Sequence, residues 1–123
     1  ELGCTTPEVD EYLIKVIEAD FLNEERFARA VARGKFRLKQ WGRNKIVQQL
    51  KQQQVSEFCI KKALTEIDED EYLATAKKLV EKKLREIKSE KNIFIRKQKI
   101  YRYLAQKGYE SSIINIALNE TLK

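Results

Sequence analysis

Apolar side chains recur at helical spacing along the 123-residue chain, and no stretch keeps the period-two alternation of a strand long enough to claim one. Lys, Glu, Gln, Leu and Ala, which favour helices, dominate the composition, and only one Pro and four Gly interrupt them. The pattern predicts seven helices, at about residues 7–19, 24–39, 43–53, 57–67, 69–89, 92–107 and 111–122. We therefore expect an all-α protein.

An internal repeat relates the third and fourth predicted helices to the sixth and seventh. Residues 45–64, KIVQQLKQQQVSEFCIKKAL, match residues 99–118, KIYRYLAQKGYESSIINIAL, without a gap at an offset of 54. Upstream, ERFARA at 25–30 pairs loosely with EYLATA at 71–76 at an offset of 46. These two offsets predict a leading helix that is eight residues longer in the second copy.

The start of the chain resembles the end of a further copy, because YLIKVI at 12–17 matches CIKKAL at 59–64. The predicted organisation is the tail of a first three-helix unit at 1–19, a second unit at 20–67 and a third unit at 68–123. We expect the sequence to be N-terminally incomplete. Because one such unit buries little surface, tandem three-helix repeats are expected to stack into an elongated, curved array.

Apolar and cationic residues occupy different faces of the second predicted helix. An apolar stripe, expected to dock on the core, comprises Phe27, Val31, Gly34 and Leu38. A row of arginines, roughly 120° away at 100° per residue, comprises Arg26, Arg29, Arg33 and Arg37. Such a row either is a solvated helix flank or binds phosphates or carboxylates through forked hydrogen bonds.

The distribution of charge favours the binding interpretation. Residues 1–25 hold eight acidic residues and one basic residue, whereas residues 26–67 hold eleven basic and two acidic residues, within a formal total of +6. No acid occurs at 26–56, although soluble surfaces usually intersperse the two signs. At the offset of 46 the second copy carries Tyr72, Thr75 and Leu79 in place of the first three arginines, so the repeat itself does not require the row.

The predicted partner- or DNA-binding face comprises Arg26, Arg29, Arg33, Arg37, Arg43 and Lys45. Trp41 is a secondary candidate, which either stacks on a base or plugs the junction between two helices. Arg96, Lys97 and Arg102 are secondary candidates for phosphate contact.

Several function classes are disfavoured by residues that are missing. The chain has no His, no Gly-rich phosphate loop and no spacing typical of metal ligands, so we expect no enzyme activity, no metal and no cofactor. No apolar run approaches the roughly 18 residues of a membrane span, so we expect no membrane association.

Two motifs resemble the signatures of the RecX family of RecA regulators. These are FLNEERFARA at 21–30 and WGRNKIVQQL at 41–50, and the order of a unit tail, a motif-bearing unit and a longer final unit also fits. The resemblance implies a cytoplasmic bacterial protein, expected to be a monomer, that binds RecA and lodges in the groove of its nucleoprotein filament. Blocked filament growth or promoted disassembly would then lower RecA activity in recombination, DNA repair and the SOS response.

Two alternative hypotheses for the function remain open. The first is a stand-alone basic helical protein that binds single- or double-stranded DNA, supported by the basic middle of the chain and the helix pair around Trp41 and Gly42. The second is a protein-only adaptor that uses the apolar inner curve of the array. Strong dependence of binding on salt distinguishes the cationic surface from the apolar one.

Overall fold

The computed structural model describes the backbone of residues 7–122 and the side chains of residues 23–122. This part of the chain forms six helices and no strand. The helices are α1 (Pro7–Lys39), α2 (Arg43–Gln52), α3 (Glu57–Leu64), α4 (Glu69–Glu86), α5 (Ile93–Lys107) and α6 (Ser111–Thr121). The expected all-α class is confirmed.

Helix α1 is continuous, so the prediction of separate helices at 7–19 and 24–39 was wrong. Asn23, the residue before the predicted start of a helix at 24, lies inside α1. No Pro or Gly occurs between Pro7 and Gly34, and the backbone hydrogen bonds therefore continue through all 33 residues, a length of about 50 Å. The predicted unit boundary at residue 19 falls within this helix, and the division into units stays a prediction.

In the first half of the described fold, α2 and α3 pack against the C-terminal half of α1. Among the described side chains of α1, at residues 23–39, the buried ones are Ala28, Ala32 and Phe36. Val31 of the predicted apolar stripe packs partly against the core, but the prediction was wrong for Phe27 and Leu38. Leu38 is 84% exposed and Phe27 is 45% exposed. Two of these three buried positions are thus alanines rather than larger apolar residues.

The second half of the described fold repeats this arrangement with α4, α5 and α6. Buried positions of α2 and α3 recur in α5 and α6 at the predicted offset of 54, as in the pairs Ile46 and Ile100, Leu50 and Leu104, Ile60 and Ile114, and Ala63 and Ala117. The repeat of the trailing helices is therefore confirmed at the level of the core.

The leading helices repeat at a different offset from the predicted one. An offset of 46 would align the exposed Arg26 and Arg33 with Tyr72 and Leu79, which are buried. An offset of 48 aligns buried Ala28 with buried Ala76. It also aligns two equivalent ion pairs from the leading helix to the end of the third helix, Arg29–Glu66 and Lys77–Glu120. Because the trailing helices keep an offset of 54, the second copy is six residues longer rather than eight.

Candidate partner interface

Two sharp turns of the backbone meet in the fold: the corner at Gly42, between α1 and α2, and the corner at Gly108, between α5 and α6. This contact between the two three-helix units is here called the joint. The N–H of Gly42 donates to the carbonyl of Lys107 at 2.7 Å, and the N–H of Asn44 donates to the carbonyl of Gly108 at 2.9 Å. A Cβ atom on Gly42 would overlap the backbone of Gly108 and Tyr109. Only glycine therefore allows this approach, and Gly108 itself has a left-handed φ of 100°.

Three aromatic rings fill the joint. The Tyr72 ring centroid lies 5.0 Å from that of Tyr109 and 5.9 Å from that of Phe36, and all three side chains are buried. The Tyr72 hydroxyl accepts a hydrogen bond from the N–H of Arg43 at 2.8 Å and donates to the carboxylate of Glu110. Burial raises the pKa of both tyrosines far above the ordinary value, so both hydroxyls stay neutral donors.

Arg43, a predicted binding residue, is engaged within the joint. Its guanidinium pairs with Glu69 at 2.7 Å and with Glu110 at 3.1 Å, and lies 4.1 Å from the Tyr72 ring centroid. Burial opposes the charge, but the hydrogen bonds to the two carboxylates outweigh it and raise the pKa of Arg43. With 19% of its side chain exposed, Arg43 links α2 to the starts of α4 and α6.

Arg29, a second predicted binding residue, also has partners within the chain. Its guanidinium pairs with Glu66 at 2.7 Å and with Glu25 at 3.0 Å, and these hydrogen bonds raise the pKa of Arg29. The equivalent Lys77–Glu120 pair in the other unit shows that this contact belongs to the repeated architecture. Arg29 therefore holds α1 to the end of α3.

The other three arginines of the row are exposed on α1. The Arg33 guanidinium lies 3.7 Å from the carboxylate of Glu66, which is farther than the 2.7 Å between Arg29 and the same carboxylate. Among the residues with described side chains, Arg26 and Arg37 have no ion-pair partner. The predicted row thus divides into one architectural residue and three cations that face solvent.

Lys45 and Trp41 lie together at the corner between α1 and α2. The Lys45 ammonium lies 4.6 Å from the centroid of the Trp41 ring, and the Lys35 ammonium lies 4.8 Å from it. The ring is half-buried against the core, as in the expectation of a junction plug. The ring and the two ammonium groups form a cation–π arrangement, and the role of Trp41 in binding a partner or a base stays a prediction.

A group of lysines, here called the lysine cluster, extends from this corner across the joint. Its members are Lys35, Lys39, Lys45, Lys82 and Lys107. The Lys107 ammonium donates to the carbonyl of Lys39 at 3.0 Å. Burial, together with repulsion from Lys82, Lys45 and Lys39, lowers the pKa of Lys107. This crowding of like charges is relieved by an anionic partner.

Sequence reasoning missed Lys82 and Lys107 as members of this surface. They lie in the other unit, and the contact between the Gly42 corner and the Gly108 corner is long-range. The only local signal was that Lys107 precedes a glycine that ends a helix.

The structure does not gather the secondary candidates Arg96, Lys97 and Arg102 into one site. Arg96 donates through Nε to the carbonyl of Glu90 at 2.6 Å. Lys97 lines a groove between α5 and α6, whereas Arg102 lines a different groove between α4 and α5. Contact with phosphate therefore stays a prediction for each of these three residues on its own, and not for a shared site.

The described part of the chain holds neither a membrane-spanning helix nor a cluster of metal ligands. Between residues 7 and 122, no helix is long and apolar enough to cross a membrane. Among the described side chains, no group of three or more Cys, Asp or Glu residues is placed to hold a metal ion.

Comparison with protein families identifies both units. The family model described as "RecX, second three-helix domain" matches residues 23–64, and the one described as "RecX, third three-helix domain" matches residues 69–118. The chain belongs to the RecX family. "Regulatory protein RecX" of Clostridium perfringens (strain 13 / Type A) is 37% identical over 80% of this chain, and that of Clostridioides difficile (strain 630) is 31% identical over 94%.

Solved RecX structures share the fold. The crystal structure of RecX from Lactobacillus salivarius superposes with a TM-score of 0.78 at 20% identity, over 98% of this chain and 77% of that one. A crystal structure of regulatory protein RecX gives a TM-score of 0.73 at 26% identity, over 94% of this chain and 58% of that one. The expected array of tandem three-helix repeats is thereby confirmed as a RecX-type array.

The chain spans about half the length of the RecX relatives that it matches. It covers 46% of the Clostridium perfringens protein and 56% of the Clostridioides difficile protein.

Proposed function

We propose that this RecX chain binds the RecA nucleoprotein filament and inhibits its growth and activity. Membership of a family of regulatory proteins supports the proposal, as does the resemblance of the two motifs to those of RecA regulators. The observation that carries it is the set of solvent-facing cations on both units: Arg26, Arg33 and Arg37 on α1 and the lysine cluster at the joint.

The joint gives these cations a fixed spacing. Backbone hydrogen bonds through Gly42 and ion pairs through Arg43 join the two units and fix the distance between their charged surfaces in this structure. A filament offers the same carboxylates and phosphates at regular intervals along its length. An array with several cationic patches makes many weak contacts with such a partner, and the affinity should fall steeply with salt.

Inhibition then follows from occupancy. A protein that lies along the filament groove covers the surface on which RecA subunits add or carry out strand exchange. No catalytic group is needed for this action, and we propose a regulator without catalysis or cofactor. We place its activity in the bacterial cytoplasm and expect it to act as a monomer.

Binding of DNA without RecA is the second candidate function. The lysine cluster favours it, because crowding that lowers the pKa of Lys107 is relieved equally well by a phosphate backbone. Against it, the one arginine of α2, Arg43, is held by Glu69 and Glu110 within the joint and does not face outward to read a base edge.

Three binding measurements separate these functions. The chain is titrated into RecA alone, into naked single-stranded DNA and into RecA filaments preassembled on the same DNA, each at two salt concentrations. We expect the tightest binding to filaments, with affinity that weakens as salt is raised. Equal or tighter binding to naked DNA would support the second candidate function and contradict the first.

A further inference from the structure

The start of α5 exposes three consecutive apolar side chains, Ile93, Phe94 and Ile95. Phe94 is 79% exposed and lies at the edge of a groove of about 350 Å³ between α5 and α6. Tyr101 and Leu118 contribute further apolar surface to this groove, here called the α5–α6 groove. An aromatic side chain so exposed beside a concave surface is typical of a contact for another molecule.

The internal repeat shows what occupies the equivalent surface in the other unit. At the offset of 54, the groove residues Lys97, Leu118 and Asn119 correspond to Arg43, Leu64 and Thr65, which line one surface depression of about 530 Å³. The first residues of α4 share that depression.

The occupant there is the acidic start of a helix. Asp68 caps α4 through the N–H of Glu71, and the first turn carries Glu69, Asp70 and Glu71. Glu69 pairs with Arg43, which occupies the position of Lys97 in the repeat. The aromatic Tyr72 comes directly after Glu71 in the sequence, and its side chain is buried. The repeat therefore provides a pattern for recognition: a cation at the groove pairs with a carboxylate in the first turn of a helix, and an aromatic ring packs beside it.

Two substitutions adapt the α5–α6 groove to a different partner. Arg96 occupies the position of Gly42. Because any side chain at Gly42 would overlap the facing backbone, a joint of the same kind cannot form at Arg96. Phe94 occupies the position of Gln40, which adds apolar surface. The groove keeps the cation of the pattern and replaces the backbone contact with an apolar one.

The charge around the groove fits an acidic partner. Between Glu90 and Glu110 there are six basic residues and no acidic one. Lys97 makes no ion pair with any residue whose side chain is described, whereas Lys99 lies 3.7 Å from Glu90. The carboxylate complement that Arg43 finds in Glu69 is thus missing for Lys97 within the described side chains.

We propose that the α5–α6 groove binds the acidic first turn of a helix that belongs to the filament protein. A carboxylate of that turn pairs with Lys97, and an apolar side chain beside it packs against Phe94, Tyr101 and Leu118. This inference rests on the proposed function, because it names the part of the filament that the groove recognises. It adds a contact with protein to the cationic contacts of α1 and the joint.

The test compares wild-type chain with the variants Phe94→Ala and Lys97→Glu in binding to RecA filaments preassembled on single-stranded DNA. Matched controls are Ile116→Ala, which removes a partly exposed apolar side chain outside the groove, and Lys88→Glu, which reverses an exposed charge elsewhere. We expect each groove variant to raise the Kd about tenfold and each control to leave it within about twofold, as for central and peripheral interface residues. Thermal unfolding is expected to be unchanged, since both altered side chains are exposed.

Each outcome has a distinct meaning. Failure of the wild-type chain to bind filaments would overturn both the proposed function and this inference. Filament binding that both groove variants retain would overturn the inference alone. An equal loss of binding to naked single-stranded DNA in Lys97→Glu would assign the groove to nucleic acid, and self-association of the chain that Phe94→Ala abolishes would assign it to a second copy; either result overturns the inference.

Discussion

Gly42 is the residue at which the two units come closest, and it offers a direct test of the joint. A methyl group at this position would overlap the backbone of Gly108 and Tyr109, so one corner must move. We expect Gly42→Ala to lower the free energy of unfolding by roughly 2–4 kcal/mol. Urea unfolding followed by circular dichroism measures the change.

Gly34 provides the matched control, because it lies within α1 and a Cβ there would meet no atom within 4 Å. Gly34→Ala should therefore raise the free energy of unfolding by about 0.5–1 kcal/mol, through helix propensity alone. Equal effects of the two substitutions would contradict the close backbone contact at the joint.

Glu24 makes the stability of the fold depend on pH. Hydrogen bonds from the side chain of Ser56, from Cys59 and from the backbone N–H of Ser56 at 3.2 Å lower the pKa of its carboxyl group. The stability that Glu24 contributes is therefore present above the ordinary glutamate pKa of about 4.3 and is lost as the pH falls through the lower value of the folded state.

Glu24→Gln removes this dependence. We expect the stability difference between wild type and the variant to be constant near neutral pH and to shrink as the pH falls below about 4.3. Urea unfolding at a series of pH values measures it. A difference that grows on acidification would have the wrong sign for a lowered pKa.

The packing of α1 is tested at the level of the helix by a pair of substitutions. Ala32 is fully buried, whereas Leu38 was predicted to be in the core but is exposed. We expect Ala32→Leu to cost about 1–3 kcal/mol of stability through overpacking, and Leu38→Ala to change it by less than about 0.5 kcal/mol. Thermal unfolding of both variants measures these changes in stability. A larger loss for Leu38→Ala than for Ala32→Leu would contradict the observed burial and support the predicted stripe.

The helices themselves were largely predictable because their ends are set locally. Ser56, Asp68 and Asn92 each accept a hydrogen bond from a backbone N–H in the first turn that follows, and Gly108 ends α5 in a left-handed conformation. The exception is α1, where Asn23 looks like a cap but the chain before it continues as helix. A local signal for a start does not stop a helix that is already formed.

The buried face of α1 was not predictable from hydrophobicity alone. Phe27 and Leu38 have larger apolar side chains than Ala28 and Ala32, yet the alanines are fully buried and the two larger residues are exposed. The predicted offset of the leading helices was also wrong. Their alignment by residue type gave 46, whereas the ion pair from Arg29 to Glu66 and its equivalent in the other unit give 48.

At the level of the whole molecule, the sequence revealed which residues are basic but not which of them meet. Arg26, Arg33 and Arg37 are exposed as the helical period predicted. Lys107 contacts Lys39 only because two corners, 64 and 65 residues apart at their two backbone hydrogen bonds, meet in the fold, and no local pattern encodes that contact. For Arg43, ion pairs with α4 and α6 could not be foreseen for the same reason.

The role of Arg43 in coupling the units gives a further prediction. Arg43→Ala leaves the Glu110 carboxylate and the face of the Tyr72 ring without their cationic neighbour, and we expect a loss of roughly 1–3 kcal/mol in the free energy of unfolding. Arg37→Ala, the control, removes an exposed arginine and should change stability by less than about 0.5 kcal/mol. Urea unfolding measures both, and equal stabilities would contradict the assignment of Arg43 to the joint.

Affinity for preassembled RecA filaments, measured for a variant in which Arg26, Arg33 and Arg37 are all glutamine, tests the central claim most directly. The control variant removes the same number of charges from α4 and the segment after it, at Lys78, Arg85 and Lys88, which are also exposed. At low salt we expect the first variant to bind at least about tenfold more weakly than wild type, with a smaller dependence on salt, and the control to bind nearly as wild type does. Unchanged filament binding by a folded triple variant at both salt concentrations would contradict the account.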